Sequence, residues 1–116
     1  MAEDVKPTPE PGSGESTRVR ERGEELGWAD RARSGDPDAF RPLYERYFPR
    51  VYGTLYQIVQ NAATAEELAQ AAMVQAWRRL DQFDGRSAFG TWLHRIAVNL
   101  ALDHLRRPKN RPHESL

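Results

Sequence analysis

From Asp36 onward, apolar residues recur every three to four positions, the period of an amphipathic helix. Phe40, Leu43, Tyr44 and Tyr47 form one stripe, and Val51, Tyr52, Leu55, Ile58 and Val59 form the next. Pro49 lies between them. It has no N–H and its ring clashes with the preceding turn, so it predicts a break and the start of a second helix. Leu68, Ala72, Met73, Ala76, Trp77 and Leu80 mark a third helix. Phe89, Leu93, Ile96, Ala97 and Leu100 mark a fourth. No segment sustains the two-residue alternation of a strand. The pattern predicts an all-α fold, a compact bundle of about four helices.

Local signals place the boundaries. Asp36 can cap, Pro37 suits a first helical position, and Asp38 faces the positive helix end. Thr64-Ala65-Glu66-Glu67 has the form of a capping box, with Asn61-Ala62-Ala63 as the connection before it. Asp81 to Arg86, with Gly85, reads as a loop, and Ser87 as the cap of the fourth helix. Pro108 and Pro112 stop that helix. Residues 1–20 contain Pro7, Pro9, Pro11, Gly12, Ser13 and Gly14 and offer little to bury, so they are expected to be a disordered tail. Residues 21–34 are expected to hold a short, weak helix around Leu26 and Trp28. The helical domain is then 21–112, with 113–116 starting a linker. No internal repeat occurs.

Charge refines this picture. The 17 basic and 17 acidic residues cancel, but not evenly along the chain. Residues 1–30 carry a net charge of −4, residues 31–83 of +1 and residues 84–116 of +3. The balance argues against a bulk nucleic-acid condenser and leaves room for a basic patch near the C-terminus. There is no cysteine, which removes disulfides, thiol nucleophiles and cysteine zinc sites. No apolar run approaches the roughly 20 residues that span a bilayer, and no signal core opens the chain, so the expected location is the cytoplasm, with no membrane partner. His94, His104 and His113 lack the spacing of a helical metal pair. No catalytic residue, metal or other cofactor is expected.

Two polar surfaces remain. One is the outer side of the third helix, with Glu66, Glu67, Gln70, Gln75, Arg78 and Arg79, which solvation alone could explain. The other is the loop and fourth helix. Phe83 and Phe89 flank the polar loop, and Thr91, Arg95, Asn99 and Asp103 fall near one helix face. Arg106, Arg107, Lys109 and Arg111 extend its basic character. Rings beside a cation and an amide suit unstacked bases. Spacing alone also allows Phe83, Phe89 and Trp92 to be core residues, and leaves nucleic-acid and protein binding both open.

Three blocks bear a closer resemblance. Gly35-Asp-Pro-Asp-Ala-Phe40 with Leu43-Tyr-Glu-Arg-Tyr-Phe-Pro-Arg-Val-Tyr52 resembles the opening of bacterial extracytoplasmic-function (ECF) sigma factors. Ala65-Glu-Glu-Leu-Ala-Gln70 with Ala76-Trp77-Arg78 and Leu80 resembles their next stretch. Phe83-Asp-Gly-Arg-Ser-Ala-Phe-Gly-Thr-Trp-Leu-His-Arg-Ile-Ala-Val-Asn99 resembles the one after it. Together they span about residues 30–107, in family order. The resemblance implies a region 2 domain, a subunit of RNA polymerase that recognises and opens promoters. It implies that Glu67, Gln70 and Arg78 contact the coiled-coil clamp of the largest polymerase subunit. It further implies that the Phe83–Phe89 loop, with Arg86 and Ser87, captures a flipped base of the non-template −10 strand. Thr91, Trp92, Arg95, Asn99 and Arg106 would line that single strand. An anti-sigma factor is the other implied partner. The alternative is a helical interaction domain that holds polymerase or an anti-sigma factor without opening promoters. The chain departs from the family pattern at Ala71, where an acid is usual, and at Met73. The family's second helical domain, which reads the −35 element, would begin beyond Leu116. The expectation is therefore an excised N-terminal domain, with a shortened natural form as the alternative.

Overall fold

The structure, a computed structural model, describes residues 13–108, with side chains from residue 17 onward. Four helices occur in order: α1 (Ser13–Arg33), α2 (Arg41–Val59), α3 (Ala62–Arg78) and α4 (Phe89–Arg106). Short 3₁₀ turns at Pro37–Ala39 and Leu80–Gln82 sit before α2 and after α3. Among the described residues there is no strand, as expected for an all-α bundle.

The core lies where α2, α3 and α4 meet. Along α3 the inward positions are almost all alanine: Ala65, Ala69, Ala72 and Ala76 are fully buried beside Met73. Small side chains there leave room for the larger residues of the neighbouring helices. Leu43, Val51 and Leu55 of α2 and Phe89, Leu93 and Ile96 of α4 fill that room. Each such large side chain contributes roughly 1.5–3 kcal/mol when removed from water.

Four expectations are corrected. First, α2 runs unbroken through Pro49. Pro49 is exposed, as is Glu45, so the carbonyl that lacks its N–H partner meets water. Leu43, Val51, Leu55 and Val59 are buried on both sides of Pro49, and their packing offsets a penalty of about 3 kcal/mol. Second, Thr64 does not cap α3. Asn61 does, its side-chain oxygen accepting from the Thr64 N–H at 2.9 Å. Thr64 therefore lies within the first turn. Third, Ser87 does not cap α4. Ala88 holds that position with no side-chain cap, and the Ser87 hydroxyl donates instead to the Ala88 carbonyl at 3.3 Å. Fourth, the first helix begins at Ser13 rather than 21, so residues 13–20, expected in the tail, are helical. The tail over 1–12 and the linker over 113–116 lie outside the described residues.

Asp36 and Pro37 act as expected, but on the 3₁₀ turn: the Asp36 carboxylate accepts from the Asp38 N–H at 3.1 Å. Gly35, at φ +109°, lets the chain leave α1. Arg107 is extended before Pro108, which ends α4.

α1 has few apolar residues and holds to the bundle through Leu26, Trp28, Ala29, Ala32 and a polar cluster. Glu25 is 3% exposed. Its carboxylate accepts from the Arg46 guanidinium at 2.8 Å and from the Tyr47 hydroxyl at 2.8 and 2.9 Å. Arg46 also lies over the Trp28 ring at 5.0 Å. The bond to Glu25 raises the Arg46 pKa. Burial, then the bond to Glu25, pushes the Tyr47 hydroxyl up to about 12.

Candidate nucleic-acid interface

α4 begins where the chain rises from the 83–88 loop. The helix presents Trp92, Arg95, Asn99 and Arg106 along one side, at the three- and four-residue steps that bring side chains onto one face. Gln75 of α3 and Arg79, just past its end, face them. Between the two helices is an open groove of about 520 Å³, lined by these six residues together with Ile96, Leu100 and Asp103. The structure thus brings together four of the expected strand-lining residues, Trp92, Arg95, Asn99 and Arg106. Gln75 and Arg79 were read only as a solvated face. Their place in the groove follows from the packing of α3 against α4, which local spacing does not encode.

Trp92 is half-buried and leans on two core rings, Phe83 at 5.2 Å and Phe89 at 5.7 Å. Phe83 and Phe89 pack edge to face at 5.6 Å, a favoured arrangement for aromatic pairs. They are 3% and 0% exposed. Of the two roles that spacing left open for these rings, facing a base or packing in the core, the structure shows the core. They are core residues that anchor the ends of the loop and support Trp92, the ring that is partly open. The reason is packing: Phe40, Tyr47, Phe83 and Trp92 surround Phe89.

Electrostatics favour an anion in the groove. Arg79 and Arg95 are exposed, and among the described residues neither has a salt-bridge partner. Arg106 is paired with Asp103 one turn back. Asn99 is exposed, with its amide free to donate and accept.

The other expected residues stand apart from the groove. Arg86 is exposed on the loop, with its side chain against Asp84 at 3.2 Å and its N–H on the same carboxylate at 3.0 Å. Ser87 is half-buried and Thr91 is exposed on the first turn of α4. No group of three or more metal-ligating side chains occurs among the described residues. None of their helices is long and apolar enough to cross a membrane.

α3 carries a second surface. Glu67, Gln70 and Arg78 are all exposed on it. Gln70 edges an apolar depression of about 380 Å³ lined by Phe40, Tyr44, Met73, Val74 and Trp77. Tyr44, Val74 and Trp77 are 38%, 46% and 41% exposed. Tyr44 and Trp77 belong to the apolar stripes that marked their helices, yet both are partly exposed. The Trp77 ring instead leans edge-on against Phe40 at 5.2 Å and leaves its outer part open. Exposed apolar side chains gathered beside polar ones make this a candidate interaction surface.

Comparison with known proteins agrees with this geometry. Residues 43–111 match the Sigma-70 region 2 family. The chain is 41% identical over 86 residues to the RNA polymerase sigma-H factor of Pseudomonas aeruginosa, covering 74% of this chain and 45% of that one. It is 39% identical over 77 residues to the ECF RNA polymerase sigma factor SigW of Bacillus subtilis, covering 66% and 41%. It is 40% identical over 86 residues to the ECF RNA polymerase sigma-E factor of Escherichia coli K12, covering 74% and 44%. The chain thus spans less than half the length of these curated relatives. The NMR structure of an engineered region 2 of sigmaE in complex with GTAAAA superposes with a TM-score of 0.67 at 33% identity, over 78% of this chain and 93% of that one. The helical order, the spacing of the three sequence blocks and these matches lead to one conclusion: the chain belongs to the Sigma-70 region 2 family, within its extracytoplasmic-function branch.

Proposed function

We propose that this domain docks on the clamp of the largest RNA polymerase subunit through α3 and holds the non-template strand of a promoter −10 element along α4. The groove between α3 and α4 carries the reading. It sets a half-open indole beside unpaired cations and a free amide, the combination that grips a single strand. A complex of a similar domain with the hexanucleotide GTAAAA supports it. In this reading Trp92 stacks on a base, Asn99 bonds a base edge, and Arg79, Arg95 and Arg106 meet phosphates. The loop, with Arg86 and Ser87, receives the flipped base, and Thr91 borders its entrance. Extruding a base costs a few kcal/mol. Stacking contributes roughly 1–3 kcal/mol per base, so a few captured bases offset the melting without ATP. The apolar depression edged by Gln70, together with the exposed Glu67 and Arg78 of the same helix, is the clamp-docking face. The domain acts in the cytoplasm beside its polymerase, and phosphodiester chemistry stays with the polymerase.

The test is binding of single-stranded GTAAAA and its single-base variants to the 116-residue chain, followed by calorimetry. The parent is expected to prefer some sequences over others. Trp92→Ala should weaken the best binder by about 5- to 100-fold, matching the stacking range. Arg95→Gln should weaken all sequences alike and flatten the salt dependence by about 0.7 in the log–log slope. Sequence-blind binding by the parent, across a full hexamer library, would remove the base-reading part.

The exposed Trp77, Val74 and Tyr44 favour a second reading, a protein-docking domain that binds polymerase or an anti-sigma factor and opens no promoter. Binding of a clamp fragment without any oligonucleotide binding would select it.

A further inference from the structure

α1 reaches the 80–87 segment at three places. The Arg33 guanidinium donates to the Phe83 carbonyl at 2.7 Å and to the Leu80 carbonyl at 3.2 Å. The Arg22 guanidinium donates to the carbonyls of Gly85 at 3.1 Å and Arg86 at 3.2 Å. Between them Leu26 presses on the loop, so that a Cβ on Gly85 would meet its Cδ2 at 3.2 Å. Gly85 itself is at φ +82°, a conformation that suits glycine. Three loop carbonyls, and that of Leu80 in the turn before them, are thus turned toward α1 and held by charge-assisted bonds, which are about twice as strong as neutral ones. Within the loop itself, the Asp84 carboxylate holds the Arg86 N–H. Phe83 and Phe89 fix its ends, whereas Arg22 and Arg33 fix its path between and beside them.

We propose that Arg22 and Arg33 are positioning residues for base selection: α1 sets the shape of the base-receiving loop, and with it which base is preferred. This rests on the reading that the loop receives a flipped base. Neither arginine needs to touch DNA. Their bonds aim backbone and side-chain groups that would otherwise sample several conformations, and a site held in one shape discriminates better than one that must be ordered on binding.

The quantity to measure is the ratio of affinities between the best and second-best base at each position of GTAAAA-derived oligonucleotides. A ratio cancels the general effect of losing positive charge. Compared with the parent, the doubly substituted Arg22→Met, Arg33→Met chain should lose at least about fivefold of the largest ratio. Its Arg86 amide should exchange with solvent at least about tenfold faster. Arg33→Lys keeps a donor and should restore part of the ratio, which a merely stabilising role would not require. Arg20→Met removes an exposed charge from α1 without touching the loop and should leave the ratio unchanged. Arg22→Met alone removes only exposed bonds, leaves the core intact, and should show an intermediate ratio if the double substitution fails to fold. A parent that discriminates and a variant that discriminates equally would overturn this inference alone. A parent without any preference would overturn the base-reading function and this inference with it.

Discussion

The hydroxyl of Tyr47 donates to both carboxylate oxygens of Glu25, at 2.8 and 2.9 Å, and so ties the middle of α2 to α1. Burial and this bond favour the neutral phenol, whose pKa is raised from 10 to about 12. The group is protonated in both folded and unfolded chains below pH 10, where its contribution is fully present. Between about pH 10 and 12 the unfolded chain ionises first, and the contribution is lost. Urea unfolding from pH 9 to 11.5 should show the stability advantage of the parent over Tyr47→Phe shrinking across that window. An advantage that stays constant would contradict the raised pKa.

Removing the carboxylate strikes the same cluster from the other side. Glu25→Ala leaves Arg46 without its closest acceptor and the Tyr47 hydroxyl without a partner. A loss of about 2–3 kcal/mol is expected, in the range of hydrogen bonds to charged groups. Amides of α1 should lose more exchange protection than those of α3, because α1 has few apolar contacts to fall back on.

Gly90 lies against the Tyr47 ring. A Cβ at this position would stand 2.6 Å from Cε1 and 3.0 Å from the hydroxyl oxygen. Because Glu25 pins that hydroxyl, the ring has little freedom to move aside. Gly90→Ala should therefore cost about 1–2 kcal/mol by overpacking, despite the better helix propensity of alanine. A raised melting temperature for this variant would mean that the ring yields without cost.

Gln60 ends α2 in the left-handed region at φ 58°, with its N–H on the Tyr56 carbonyl. That backbone costs an L-residue roughly 1–2 kcal/mol, part of which glycine recovers. Gln60→Gly should raise stability by about 0.5–1 kcal/mol in chemical denaturation. A loss would show that the Gln60 side-chain bond to the Gln57 carbonyl outweighs the backbone strain.

The helices of the bundle were legible where one face is apolar. Leu43, Leu55, Leu93 and Ile96 repeat at helical spacing, and each is buried. α3 was harder to read, because its inward stripe is alanine, a residue that helix surfaces also tolerate. Its stripe therefore did not show that Trp77 would face outward. Pro49 misled because local sterics show the lost hydrogen bond but not the packing on either side of it. α1 was legible only in its second half: Leu26 and Trp28 pointed to a helix over 21–34, whereas residues 13–20 resembled a tail, and Glu25 gains its role only when Arg46 and Tyr47 arrive from another helix. At the site, spacing put Arg95 and Asn99 on one face of α4, and only the resemblance added Trp92. Gln75 and Arg79 became neighbours of that face through the α3–α4 crossing. The rings of Phe83 and Phe89 show why an aromatic near a polar loop is ambiguous in one dimension: both the core and the groove attract such residues.

The three tryptophans have come to lie in three separate settings. Trp28 sits beneath Arg46 at the seat of α1, Trp77 borders the apolar depression, and Trp92 lines the polar groove. Intrinsic fluorescence of this chain is therefore a sum of three independent local signals. Chains keeping one indole, with the other two replaced by phenylalanine, would report separately on α1 detachment, on whatever occupies the apolar depression and on whatever enters the polar groove, with no attached dye.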